Sequence, residues 1–240
     1  MMSEIQFPAS PDEIHDRRAE ILAALCRMDK GFSDIPVRSI KESTLDAMLY
    51  GYDALFFQGA LCRAYGSLSV TLSPRLLSAA GKFVYSKSPN IRLNKAEIRM
   101  SGDFLTRLEY GPFFLNGLTV STPQEAFLLV FEHELCHALE IALYGETGHS
   151  RRFLSLANKL FGHTEMKHKL PTRKTEAALD GITVGARCSF MYQDQSYSGQ
   201  ITYVGKTATV MVQSATGEYR DKRGRRYAKY RVPLERLTLK

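Results

Sequence analysis

Residues 124–144 read QEAFLLVFEHELCHALEIALY, and the reading of the whole chain turns on them. Apolar residues fall on nearly every side of a helical projection, so the segment reads as a buried helix. Its ends are set by local chemistry. Thr122-Pro123-Gln124-Glu125 is a capping box with proline at the first helical position, and Gly145 supplies the stop. Inside this helix of about 22 residues lie His133, Glu134 and His137, in the pattern H-E-x-x-H. Residues four apart share a helix face, so the two imidazoles can reach one ion. Glu134 is turned about 100° around the axis, where it can reach a water rather than the metal. Burying two histidines and a glutamate is costly unless they are paired or hold a metal. Two ligands and a base for an activated water are the chemistry of a zinc peptidase.

A catalytic zinc site has three protein ligands and an open position, so a third must come from elsewhere. The longer pattern H-E-x-x-H-x-x-G-x-x-H requires glycine at position 140 and histidine at position 143, where this chain has Glu140 and Leu143. Glu165 and Glu176 are possible downstream ligands, but no second motif surrounds either. The favoured ligand is His149, in Gly145-Glu146-Thr147-Gly148-His149-Ser150. Two glycines allow the chain to reverse and return His149 towards the helix. His163 and His168 stand behind it. Glu132 and Glu140 flank the motif and read as ion-pair partners more than as acceptors that orient the ligands.

The segment EHELCHALEIALYGETGHSRRF resembles the core of the SprT-like metalloprotease family, which includes the Spartan proteases of DNA–protein crosslinks. That family carries H-E-x-x-H followed by a third histidine in a Gly-His-x-x-x-Phe context, matched here by Gly148, His149 and Phe153. Upstream, FFQGALCRAYGSLSVTLSPRLLSAAGKF and AEIRMSGDFL are similar to the strands and turns that precede the family's zinc helix. The resemblance spans residues 40–170. It implies an α+β, zincin-like catalytic domain of helices and a small three-stranded sheet. It also implies one Zn²⁺ on His133, His137 and His149, with Glu134 as the base and DNA-associated proteins as substrates. Many relatives carry a four-cysteine zinc ribbon after this domain, and this chain has none.

Cys26, Cys62, Cys136 and Cys188 are scattered and form no C-x-x-C pair, which fits a reducing, cytoplasmic setting. Cys136 reads as a small buried apolar residue. No secretory leader and no uncharged run long enough to span a membrane stands out.

Elsewhere, Ser10 caps a helix over 11–28, and apolar Leu45, Met48, Leu49, Tyr52, Leu55 and Phe56 mark a second helix over 42–57. Strands are expected at 67–73, 82–86 and 96–101, and another helix at 150–161, stopped by Gly162. Residues 1–170 then form the catalytic domain. Polar residues 171–182 read as a linker, and 183–240 as a small all-β, SH3-like barrel of five strands punctuated by Gly199, Gly205 and Gly217.

Charge divides along the same line. Residues 181–240 hold 11 Lys/Arg against 4 Asp/Glu, so the whole net charge of +7 lies there. Its peak is RDKRGRRYAKYR at 220–231, with Lys222, Arg223, Arg225, Arg226, Tyr227, Lys229 and Arg231 as candidate nucleic-acid contacts. Tyr227, Lys229 and Arg231 share one face of a strand. Basic residues interleaved with aromatics fit phosphate contacts with base stacking, while a merely soluble basic hairpin is the plainer reading. The function expected from the whole is a zinc-dependent endopeptidase acting on DNA-associated proteins. Its alternative is a nucleic-acid-binding or adaptor protein whose zinc is mainly structural.

Overall fold

The computed structural model of the chain describes residues 5–76, 79–86, 95–166, 177–178 and 180–240. It is a mixed α+β protein that divides into two units, residues 1–170 and 171–240, each with its own apolar core. No helix among the described residues is long and apolar enough to cross a membrane.

The first unit opens with α1 (Pro11–Met28), whose N-cap Ser10 accepts from the Glu13 backbone, and the single turn α2 (Lys30–Ser33). Then come α3 (Glu42–Phe57) and the short α4 (Ala60–Ala64). Strands β1 (Leu68–Ser73), β2 (Gly81–Ser86) and β3 (Lys95–Ser101) form a sheet of order β1-β3-β2. β1 runs parallel to the central β3, and β2 runs antiparallel to it at the sheet edge. After α5 (Gly102–Arg107) comes a hairpin of β4 (Phe113–Leu115) and β5 (Leu118–Val120). The Asn116-Gly117 turn that joins them has φ of 53° and 80°, values that explain the choice of residues.

Helix α6 (Pro123–Tyr144) runs through the middle of this unit, and 17 of its 22 residues are buried. The capping box at Thr122 and Glu125 is formed in both directions, and Gly145 ends the helix at φ 72°, a conformation glycine adopts without strain. Helix α7 (Arg151–Phe161) follows, with its N-cap at Ser150. The core around α6 includes Leu128, Phe131, Leu135, Cys136 and Leu139 from the helix itself, with Tyr52 and Phe56 of α3 and Phe161 of α7. Tyr52 packs edge-on against Phe131 and Phe161. This environment, closed on nearly every side, is why α6 is apolar all round.

The second unit is a six-stranded antiparallel sheet of order β11-β6-β7-β8-β10-β9. Its strands are β6 (Arg187–Tyr192), β7 (Gln195–Val204), β8 (Thr207–Gln213), β9 (Tyr219–Arg220), β10 (Arg226–Pro233) and β11 (Thr238–Leu239). Where the fifth strand is expected, over residues 235–240, the chain makes a 3-10 turn (Leu234–Arg236) and then the short β11. Cys188, Ile201, Ala208 and Val210 are fully buried in the core of this unit. Ala177 and Ile182, from the stretch read as linker, are buried in the same core.

Candidate metal centre

Helical spacing and a glycine-bounded loop bring three imidazoles together. His133 and His137 come from α6, and His149 from the loop between α6 and α7. One ligand atom of each lies within 4.8 Å of the others. His133 Nε2 is 2.9 Å from His149 Nε2 and 3.2 Å from His137 Nε2. Three nitrogens bound at about 2.1 Å around a tetrahedral ion stand roughly 3.3–3.4 Å apart. These two separations are therefore within about half an ångström of what a single ion demands, and the third pair lies within the 4.8 Å that bounds the group.

The three rings share a support in the phenylalanine of the Gly-His-x-x-x-Phe pattern. Phe153 of α7 is fully buried, and its ring centre lies 4.8, 4.6 and 5.3 Å from those of His133, His137 and His149. One aromatic face thus limits the rotation of all three imidazoles. His133 is buried, His137 half-buried and His149 exposed, so the cluster opens towards solvent on the loop side. Burial, with the neighbouring His149, pushes the His137 imidazole down to about 4, while Glu140 opposes the shift. At neutral pH His137 is therefore an uncharged donor, the form that binds metal.

Glu134 is buried among Val130 of its own helix and the edge strand β2. Burial pushes its carboxyl up to about 7, with a backbone hydrogen bond from Phe83 pulling partly back. Its room is made by Gly81. A Cβ there would lie 2.8 Å from Glu134 Oε1, 2.9 Å from its Cγ and 2.9 Å from Val130. Any side chain at position 81 would push on the carboxylate.

Glu140 and Glu132 have different roles. Glu140, fully buried, accepts from Thr147 Oγ1 at 2.8 Å, from the Gly148 backbone N–H at 3.1 Å and from Arg152 Nε at 3.0 Å. Thr147 Oγ1 is in turn 2.7 Å from His137 Nδ1. Glu140 thus makes both the ion pair expected of it and a link to a cluster imidazole. Glu132 points the other way. Its carboxylate takes two hydrogen bonds from Arg18, at 2.7 and 2.9 Å, one from Tyr52 Oη at 2.8 Å, and faces His163 Nε2 at 2.8 Å. Burial opposes its ionisation, but Arg18 and His163 outweigh that and hold its carboxyl below the usual range.

His163 is thus committed to Glu132 and stands apart from the three-histidine group. Glu165 is likewise not in that group, while His168 and Glu176 lie outside the described residues.

On the second unit, Tyr227, Lys229 and Arg231 do share a face of β10. Lys222, Arg223, Arg226, Lys229 and Arg231 are exposed. Lys229 Nζ lies 5.6 Å from the centre of the Tyr219 ring. Arg225 and Tyr227 are otherwise engaged. Asp221 takes hydrogen bonds from the Arg223 and Arg225 backbones, from Arg225 Nε at 2.7 Å and from Tyr227 Oη at 3.2 Å. That carboxylate braces the turn and engages Arg225 Nε and the Tyr227 hydroxyl, with Arg225 still exposed.

The chain matches no protein-family model, no curated protein and no solved structure.

Proposed function

We propose that the first unit is a zinc-dependent endopeptidase of the SprT-like, zincin type, with His133, His137 and His149 as ligands and Glu134 as general base. The observation that carries this reading is the convergence of three imidazole nitrogens, with Glu134, the residue after His133, a buried carboxylate outside that group. Among the described residues the group offers three ligands, which leaves a fourth position for water, whereas a structural zinc site closes with four. A zinc ion held there supplies Lewis-acid activation of water and of the scissile carbonyl. Glu134 Oε takes the proton from the attacking water and hands it to the leaving amine. A carboxyl tuned to about 7 is matched to that exchange near neutral pH. Strand β2, at the sheet edge, brings its Phe83 backbone to Glu134. As an edge strand, β2 is the element against which an extended peptide substrate would pair.

The second unit, read as a basic SH3-like barrel, gives the peptidase affinity for nucleic acid and directs it to DNA-bound or DNA-crosslinked proteins. Its 11 Lys/Arg against 4 Asp/Glu over residues 181–240 support this reading. The test is incubation of the zinc-loaded full chain with a protein crosslinked to single- or double-stranded DNA, with and without a chelator. Peptide products are expected from the loaded chain, and none from chelated protein or from Glu134→Gln. An intact substrate, with DNA still bound, would instead establish the adaptor reading with a structural ion.

A further inference from the structure

Glu140 stands at the centre of the contacts that prepare the histidine cluster. It touches none of the three imidazoles, yet it fixes two of them by separate routes. The first route is a proton order. A carboxylate has only lone pairs to offer, and Glu140 is met by three donors: Thr147 Oγ1, the Gly148 N–H and Arg152 Nε. The single hydroxyl proton of Thr147 is therefore spent on Glu140. The remaining contact, between Thr147 Oγ1 and His137 Nδ1 at 2.7 Å, can then run only one way. His137 Nδ1 carries the hydrogen and donates it, and the lone pair lies on Nε2. That is the nitrogen aimed at His133, 3.2 Å away. The second route is along the backbone. The Gly148 N–H bonded to Glu140 belongs to the residue before His149. Arg152 ties the same carboxylate to the start of α7, and reaches Glu146 at 3.2 Å as well.

We infer that Glu140 is a positioning residue of the metal centre, which sets the His137 tautomer through Thr147 and holds the His149 loop through Gly148. The inference rests on the metal-site reading of the three histidines and is independent of what the centre hydrolyses. The site is consequently built before any ion arrives. Hydrogen-bond partners of metal-bound imidazoles typically contribute 10–100-fold in metal affinity.

The test uses the full chain and zinc, with affinity measured by competition against a chromophoric chelator. Thr147→Val removes the hydroxyl and keeps the shape. It is expected to lower zinc affinity by about 10–100-fold. Thr147→Ser should restore it. Glu140→Gln should lower it at least as much as Thr147→Val, because Gly148 is loosened too. A second readout needs no metal. Imidazole ¹⁵N spectra of the metal-free chain should show His137 protonated on Nδ1 in the parent, with the preference lost in Thr147→Val, while both melt alike. Zinc affinity equal in the parent and Thr147→Val, or a parent His137 protonated on Nε2, overturns the inference alone. A parent that takes up no zinc overturns the metal reading, and the inference with it.

Discussion

At the scale of single residues, the proposed base Glu134 is held at the expense of stability. Its carboxyl lies at about 7 in the folded chain against 4.5 as its ordinary value. A raised carboxyl favours the fold below the ordinary value, and that advantage is lost as pH rises towards 7. At pH 8 the metal-free fold therefore carries a buried charge that the Phe83 backbone hydrogen bond offsets in part. Glu134→Gln should raise metal-free stability at pH 8 by about 1–3 kcal/mol, and by less at pH 5, as read by urea unfolding. The same change should lower peptide hydrolysis by about two to four orders of magnitude with zinc retained. In the parent, kcat/KM should fall on the acid side as Glu134 takes up its proton. Gly81→Ala tests the same group from the strand packed against it. A Cβ 2.8 Å from Oε1 must move the carboxylate, so activity should fall by roughly 10²-fold at unchanged zinc content. A Gly81→Ala variant with parental kinetics would show that this contact is relieved elsewhere. His133, Glu134 and His137 were legible in the sequence because helical spacing is local. Gly81 was not, because what it must avoid lies 53 residues further along the chain.

At the scale of elements, the ends of α1, α6 and α7 were readable for the same reason. Ser10, Thr122 and Ser150 each accept from a backbone N–H three residues ahead, a contact that needs no tertiary partner. The β4–β5 hairpin was passed over although its Asn116-Gly117 turn is a strong short-range signal, because three-residue strands leave too little alternation to notice. What no local pattern could reveal is how α1 is held to α6. Arg18 reaches 114 residues along the chain to Glu132, and its Nη2 also donates to the Phe161 carbonyl at 2.9 Å. Tyr52 of α3 and His163 complete the contacts to that carboxylate. Removing one partner of a buried pair strands the other. Arg18→Ala should destabilise the first unit by about 3–5 kcal/mol, measured by denaturant unfolding of the full chain. A loss below about 1 kcal/mol would mean that Tyr52 and His163 suffice to hold the charge.

At the scale of the whole molecule, the charge asymmetry makes a prediction that is separable from catalysis. Binding of the full chain to DNA should weaken steeply with salt, since each neutralised phosphate releases counterions. Replacing Lys222, Arg223 and Arg226 together by Ala should reduce the slope of log K against log salt by roughly 2–3, with little dependence on base sequence. Arg225→Ala should do less, because Asp221 already neutralises that side chain, and Tyr227→Phe should leave binding unchanged. Salt-independent binding, or none in a gel-shift titration, would remove nucleic acid as the partner. The Arg18–Glu132 bridge also bears on how small the first unit can be made. The motif, its loop and the strands facing it all fall after residue 60, and a minimal fragment drawn around them looks complete on paper. Such a fragment would strip the Glu132 carboxylate, one residue from His133, of its Arg18 and Tyr52 hydrogen bonds and of the helices that cover it, leaving His163 as its remaining named partner. The first helix, which carries none of the proposed chemistry, thus sets the lower limit on any miniature or grafted version of this site.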